Sequence, residues 1–258
     1  MDDGDGIRSV VFIKGCPLRC TWCHNPESYS FSHEFFWKCE KCLNCGQCIK
    51  ACQKRAIVWE NGRFLLQSDS CDACGNCVIQ CPSEALQLLG KRYHVERLTE
   101  LLLEDESYYR VSGGGVTFSG GEPLGFPEFV GSVFQRLKER GLSTAVETSG
   151  FFVYDEVERL VLPYLDMVMF DLKFISNELH RQYTGVDNQL ILENFERLYQ
   201  AGVPLVPRTP MIPGITDTLE NLEDIQSFLE QYPKCGVHVR LPYNSLGEKK
   251  REWIVGNL

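Results

Sequence analysis

Cysteine placement constrains this chain more than any other feature. Of 258 residues, 13 are cysteine, and 12 of these precede residue 82. Eleven of these fall into three tightly spaced groups: Cys16-x3-Cys20-x2-Cys23, Cys42-x2-Cys45-x2-Cys48-x3-Cys52 and Cys71-x2-Cys74-x2-Cys77-x3-Cys81. A secreted disulfide scaffold is short, usually even in cysteine count, and made behind an export signal. Here no charged segment followed by an apolar stretch opens the sequence, so secretion is not expected. Reduced thiolates holding soft metal centres fit the spacing better.

Composition then removes other classes. The net charge of −9 argues against nucleic acid as a main partner, because phosphate binding needs a basic surface. No run of about eighteen apolar residues is present, so no membrane span is expected. A hydrophobic content of 43% is enough for a sizeable core.

The organisation follows from period. Residues 7–14 form a β-branched run that ends at Gly15, a strand running into the first cysteine group. Residues 30–90 hold nine cysteines and few long apolar stretches, which predicts a small inserted domain relying on metal rather than on core burial. From residue 91 the pattern alternates. Helical spacing over Val95–Leu103, Phe129–Arg140, Asp155–Leu162, 177–183, 190–201 and Thr218–Gln231 is interleaved with strand-like runs. The runs are Val116–Phe118, Ser143–Glu147, Met167–Phe170, Val203–Arg208 and Val237–Leu241. No sequence repeat or low-complexity tract stands out. Alternation of this kind predicts an α/β fold with a parallel sheet, and about six units suit a partial, open β/α barrel. The expected division is residues 1–29 and 91–258 for the barrel and 30–90 for the insert. Polar residues at the carboxyl ends of strands tend to be functional in such folds. Cys16–Cys23, Ser119–Glu122, Glu147-Thr148, Asp171–Lys173 and Arg208 all follow predicted strands, which points to an enzyme.

The first cysteine group carries the chemistry. Three thiolates on a four-iron cubane leave one iron open, whereas a fully ligated cluster mainly transfers electrons. A structural zinc site wants four closed ligands, and no fourth is apparent here. The C-x3-C-x2-C spacing, with Trp22 before the last cysteine, resembles the radical S-adenosylmethionine (SAM) superfamily. That resemblance implies an open iron that chelates the methionine moiety of SAM, with reductive cleavage giving a 5′-deoxyadenosyl radical. Trp22 is either a core aromatic or, as its place beside the cluster favours, an adenine contact. His24 is either structural or a backbone contact to the cofactor.

The other two groups are each the bacterial ferredoxin run, whose fourth cysteine ligates the other cluster. One 4Fe-4S cluster is therefore assigned to Cys42, Cys45, Cys48 and Cys81, and the other to Cys71, Cys74, Cys77 and Cys52. Gln53 replaces the usual proline after the first run. Cys39 allows a shifted register, but the three-residue gap after Cys48 and the match to the second run select the register given. Cys39 and Cys235 are then spare. Electron relay to the first cluster is the natural task of the pair, with structural support as the alternative.

Taken in order, the motifs resemble the glycyl radical enzyme activating enzymes, in the branch with a ferredoxin-like insert and two auxiliary clusters. The resemblance covers nearly the whole chain. It rests on Asp3-Gly4-Asp5-Gly6-Ile7-Arg8, His24-Asn25-Pro26-Glu27 after the cysteines, Ser112-Gly113-Gly114-Gly115-Val116-Thr117, Ser119-Gly120-Gly121-Glu122-Pro123, Asp171-Leu172-Lys173 and Leu241-Pro242-Tyr243. It implies an oxidoreductase that takes hydrogen from a backbone glycine of a partner enzyme. It also implies an anaerobic bacterial cytoplasm, a reduced flavodoxin or ferredoxin as electron donor, and a monomer that docks transiently.

By the same resemblance, Gly120, Gly121 and Glu122 supply carbonyls and a carboxylate to the ammonium of SAM, with glycine allowing close backbone approach. Lys173 and Arg208 meet its carboxylate or ribose, or else form salt bridges at the barrel mouth. Asp171, Leu172, Glu147, Thr148 and Met169 match cofactor contacts or a small monovalent cation site. Asn244 stands where relatives carry histidine, and it can hydrogen-bond but not be a cation. The family usually has a short strand before the Asp-Gly segment. Here Met1 directly precedes that segment, so a truncated start is expected. Two other classes share some of these features: a peptide or sulfatase maturase of the same superfamily, which tends to place its auxiliary clusters after the barrel, and a ferredoxin-type carrier. The carrier leaves Cys16, Cys20, Cys23 and the Gly-Gly-Glu loop without purpose.

Overall fold

The computed structural model describes residues 3–60 and 62–255. Met1, Asp2, Asn61 and residues 256–258, which belong to the expected domain spans and the expected start, lie outside the described residues. After β1 (Arg8–Ile13) the insert runs through β2 (Glu34–Trp37), α1 (Gln47–Ala51), β3 (Ile57–Glu60), β4 (Arg63–Leu66), α2 (Asn76–Ile79) and β5 (Leu86–Leu89). The chain then continues with α3 (Val95–Leu103), α4 (Glu106–Ser112), β6 (Gly115–Gly120), α5 (Pro127–Glu139), β7 (Ser143–Thr148), α6 (Tyr154–Leu160) and β8 (Met167–Asp171). It ends with α7 (Asn177–Thr184), α8 (Gln189–Gln200), β9 (Leu205–Met211), α9 (Leu219–Leu229), β10 (Val239–Pro242), α10 (Leu246–Trp253) and β11 (Ile254–Val255).

Six strands form one parallel sheet in the order β1-β6-β7-β8-β9-β10. Each helix that covers it shows why it folds there. In α5, Val130, Val133, Phe134 and Leu137 are fully buried, and in α8 Ile191, Asn194, Phe195 and Leu198 repeat the same spacing. This is one helical face turned to a core. The strands answer with the other period. Val116 and Phe118, Val146, and Val168 and Phe170 point into the helix-side core. The alternate positions, Ser119, Glu147, Met169 and Arg208, line up on the opposite face. That face carries polar groups because it looks into a cavity rather than onto a second layer. Among the described residues, no helix is long and apolar enough to cross a membrane.

The insert differs from expectation in two ways. It has an apolar core of its own, with Phe35, Ala56, Ile57, Phe64, Leu66, Cys77 and Leu86 packed together with Val255. That last residue comes from the far end of the chain. β11 pairs antiparallel with β2, Ile254 opposite Phe36 and Val255 opposite Phe35, in a three-stranded sheet ordered β11-β2-β5. Burial and a strand from beyond residue 90 thus share the task first given to metal alone. The backbone of the insert repeats with the two cysteine runs. Asn44 and Ala73, Gly46 and Gly75, and Arg55 and Glu84 all have positive φ, each pair 29 residues apart. The two cysteine runs therefore share a backbone path, and each leads into a short helix.

Candidate active site

The carboxyl ends of the parallel strands surround a cavity of about 710 Å³. Cys16, Cys20, Trp22, Cys23 and His24 enter it from the loop after β1, Gly120 and Gly121 from β6, and Thr148 from β7. Asp171 and Lys173 enter from the end of β8, Arg208 from β9, and Asn244 from the segment after β10. Three residues expected there are absent from its lining: Leu172, Glu122 and Met169, the last 3% exposed. Leu172 is 1% exposed, its N–H donating to the Arg208 carbonyl at 2.8 Å and its carbonyl accepting from Thr209 at 2.7 Å. Glu122 is likewise 1% exposed.

The Glu122 carboxylate is turned away from the cavity, into the chain. One oxygen accepts from Leu124 N at 3.1 Å and Thr148 Oγ1 at 2.7 Å, the other from Ser149 N at 2.8 Å and Ser149 Oγ at 2.6 Å. Burial pushes this carboxyl above its ordinary value, and the donors act against that. The group is thus a brace between the ends of β6 and β7. Glu122→Gln replaces one acceptor oxygen by an amide that cannot serve two of these donors. The expected cost is about 2–3 kcal/mol, read as a lower urea midpoint for unfolding. An unchanged midpoint would show that the four bonds do not hold the loop.

The glycines before it also have a reason inside the chain. A Cβ on Gly121 would stand 2.1 Å from the Gly15 carbonyl oxygen. Gly121 N donates to the Ile13 carbonyl at 2.8 Å, and Glu122 N to the Gly15 carbonyl at 2.9 Å. The close approach required at this position is to the β1 turn. The same turn launches the cysteine loop.

That loop is pinned on several sides. Arg19 N and Thr21 N donate to the carbonyls of Thr184 and Tyr183 at 2.7 and 3.0 Å, and Cys23 N closes a turn on the Cys20 carbonyl at 3.1 Å. Trp22 is 8% exposed and packs against Phe174 and Tyr183 with ring centroids 6.2 and 6.1 Å away. It is a core aromatic that also touches the cavity. Burial pushes the Cys16 thiol up to about 11 and the Cys20 thiol up to about 12, and Lys173 acts against both shifts. Protein alone therefore leaves these thiols protonated at neutral pH. A positive centre is needed to hold them as thiolates. Among the described residues, no three His, Cys, Asp or Glu side chains stand close enough to share one metal ion. A cubane gives each thiolate its own iron, so the donor set fits a cluster better than a single ion.

Beside the thiols lies a charged network built by strand register. Glu147 stands opposite Met169, and Asp171 opposite Arg208. The Arg208 guanidinium donates to Glu147 at 2.9 Å and to Asp171 at 3.1 and 3.2 Å, and contacts the Met169 sulfur at 3.6 Å. Lys173 reaches the other Asp171 oxygen at 3.2 Å, and Ser119 donates to Glu147. Burial raises the Asp171 carboxyl, but Lys173 and Arg208 overcome it and hold it below the ordinary range. For Glu147 burial wins over Arg208, and its pKa is raised. Both expected cations thus sit in ion pairs while also facing the cavity. His24 accepts from Asn244 N at 3.3 Å, with its ring 5.8 Å from that of Tyr243. Several wall residues escaped sequence reading, among them Phe12 and Tyr29. Phe12 is 61% exposed on the inner face of β1, and Tyr29 donates to the Cys20 carbonyl at 2.5 Å. Alternation along β1 was a usable signal for Phe12, and Tyr29 had none.

The insert holds two smaller cavities. One, of about 180 Å³, is lined by Cys42, Cys45, Cys48 and Cys81, and the other, of about 80 Å³, by Cys52, Cys71, Cys74 and Cys77. Each set takes its fourth thiol from the other run. Cys81 is held below the ordinary thiol range: burial raises it, but the backbone N–H groups around Ser83, Ala85 and Leu86 outweigh that. Such a nest of donors favours an anionic sulfur. Cys39 and Cys235 line none of these three cavities.

Comparison with known proteins agrees with this geometry. The Radical SAM superfamily profile matches residues 10–229. The trans-4-hydroxy-L-proline dehydratase activating enzyme of Clostridioides difficile is 38% identical over 255 residues, covering 98% of this chain and 84% of that protein. The benzylsuccinate synthase activating enzyme of Thauera aromatica is 36% identical over 261 residues, covering 98% and 78%. Among solved structures, Streptococcus suis SuiB bound to precursor peptide SuiA shares the fold with a TM-score of 0.57 at 11% identity, over 93% of this chain and 40% of that one.

Proposed function

Because this chain belongs to the Radical SAM superfamily and to its glycyl radical enzyme activating enzymes, we propose that it installs a glycyl radical on a partner enzyme. In this reaction SAM is cleaved reductively to methionine and a 5′-deoxyadenosyl radical, which takes one hydrogen atom from a backbone glycine of the partner. Family membership brings one 4Fe-4S cluster, SAM and a protein partner. The observation that carries the assignment to residues is the set of three thiols, Cys20 buried and Cys16 and Cys23 half-buried, lining a cavity roomy enough for a nucleoside cofactor.

Cys16, Cys20 and Cys23 would hold the radical-generating cluster, which supplies the electron for cleavage and an open iron for the methionine moiety. Gly120 and Gly121 offer backbone carbonyls to its ammonium, with Thr148 beside them. Lys173 and Arg208, with the carboxylate of Asp171 between them, orient the anionic and ribose ends. Trp22, His24 and Asn244 close the adenine side. Glu122 and Leu172 act behind this wall, by holding it. Arg208 already supplies the positive charge between Glu147 and Asp171, so a separate monovalent cation is left out of the proposal.

The two four-thiol sets would hold two auxiliary 4Fe-4S clusters in a ferredoxin-like insert at residues 30–90, completed by β11. Full ligation suits them to electron relay from a reduced flavodoxin or ferredoxin. The chemistry fits an anaerobic bacterial cytoplasm, and a monomer that docks its partner transiently. The crossed ligation has its own test. Cys52→Ser should remove the same cluster signal as Cys74→Ser, and Cys81→Ser the same one as Cys45→Ser. Mössbauer and EPR spectra of the four variants decide this, and pairing of Cys52 with Cys45 would break the map.

Activity is tested on the anaerobically reconstituted protein with SAM, dithionite and candidate glycyl radical enzymes. The expected result is stoichiometric 5′-deoxyadenosine together with a doublet glycyl radical signal on one partner. Cleavage of SAM with radical formation only on a small peptide would favour a maturase instead.

A further inference from the structure

Two residues from opposite ends of the chain meet behind the cysteine loop. α10 lies directly on it: a Cβ on Gly247 would stand 2.2 Å from the Cys23 carbonyl oxygen and 3.0 Å from the His24 Cα. One turn on, Lys250 holds Asn25 at 3.0 Å and Glu27 at 2.5 Å. Arg251 then sets one nitrogen between the carbonyls of Cys23 and Cys20, at 3.4 and 3.5 Å. Tyr29 donates its hydroxyl to the same Cys20 carbonyl at 2.5 Å. The Arg19 guanidinium lies over the Tyr29 ring, 5.1 Å from its centre. β11 follows α10 at once and is locked into the insert sheet. The position of Arg251 is thereby fixed from both sides.

We propose that Tyr29 and Arg251 form a paired outer layer that raises the reduction potential of the centre held by Cys16, Cys20 and Cys23. The inference rests on the assignment of a cluster to those three cysteines. Reduction adds one electron to a cluster in a largely buried loop. A cation and a hydrogen bond aimed at the ligand-bearing residues stabilise that added negative charge, and outer groups of this kind tune metal centres. Lys173 contributes positive charge from the cavity wall, where SAM must also bind. Arg251 is absent from that wall, so its charge acts whether or not the cavity is filled. Both residues are positioning groups and touch no reacting atom.

Redox titration followed by EPR tests this on the anaerobic holoproteins. The signal to read is the one that changes when SAM is added, since only an open iron changes its ligands. Tyr29→Phe and Arg251→Gln are each expected to cut the reduced-to-oxidised ratio at a fixed potential about tenfold, or about 59 mV for one electron. Arg251→Lys, which keeps the charge, should retain most of the wild-type ratio. Unshifted ratios with full iron content would overturn the proposal. Loss of this cluster in all three variants would also overturn it, by assigning the residues to structure alone. Absence of any SAM-responsive signal in the unaltered protein would instead sink the cluster assignment itself.

Discussion

Replacing Cys20 by alanine is expected to abolish SAM cleavage, by at least about a thousandfold, and to lower iron from about twelve to about eight atoms per chain. The thiol is 8% exposed at the centre of the loop, between Leu18 and Trp22 in one apolar cluster. No other described cysteine lines the cavity except Cys16 and Cys23, so no substitute ligand is at hand. Two thiolates cannot hold a cubane that must also leave one iron open. The two four-thiol sets proposed to hold the auxiliary clusters line separate cavities, so those clusters should persist with unchanged spectra. The apolar neighbours accept a methyl group, so folding should survive. Iron analysis with anaerobic assay of 5′-deoxyadenosine checks both halves. Retention of about twelve irons with full turnover would place the catalytic cluster elsewhere.

Replacing Arg208 by methionine is expected to destabilise the barrel by about 3–5 kcal/mol, because it leaves two largely buried carboxylates without their shared cation. Side-chain exposure at this site is 6% for Arg208 and 15% for Glu147. Lysine at this position should recover only part of the loss, since a point charge cannot reach both carboxylates as the planar fork does. The pH dependence has a definite sign. In the unaltered protein Asp171 is held below its ordinary range, so its contribution is present above the unfolded carboxylate value and lost as pH falls through the lowered one. Without Arg208, the already raised Glu147 carboxyl should rise further, while Lys173 still acts to hold Asp171 down. The neutral form of Glu147 then favours folding in mild acid, and that benefit is lost as pH rises. The gap between variant and wild type should therefore narrow on mild acidification and widen toward neutrality. Urea denaturation of the anaerobic holoprotein at several pH values measures it. A gap independent of pH would show that packing, not charge, fixes the effect.

Much of the architecture was legible along the chain. All six strands of the parallel sheet overlap runs picked by β-branched composition, and α3 begins and ends where its spacing predicted. The elements that escaped have physical reasons. α4 buries only Tyr109, so it has no stripe to detect. β11 is two residues long and is a strand only because Phe35 and Phe36 lie opposite it. At the site, Glu122 was picked as functional, but its direction was not readable. Its donors, Thr148 and Ser149, come from the neighbouring strand end, and only the β6–β7 pairing brings them within reach. For Arg208 two readings stood side by side, cofactor contact or salt bridge. The structure makes the ion pairs explicit and leaves the side chain in the cavity wall.

The sequence by itself determined the inventory of chemistry: which thiols occur in which spacing, and which polar residues follow which strands. Those properties are local, because ligand spacing and hydrophobic period are written within a few residues. Only the tertiary structure decided which groups face one another. The inward turn of Glu122 and the seat of Arg251 on the Cys20–Cys23 turn both depend on contacts between distant segments, whereas the crossing of Cys52 and Cys81 was already expected from the paired ferredoxin runs. Such contacts follow from strand register and from the last helix docking on the first loop, and no local pattern specifies either.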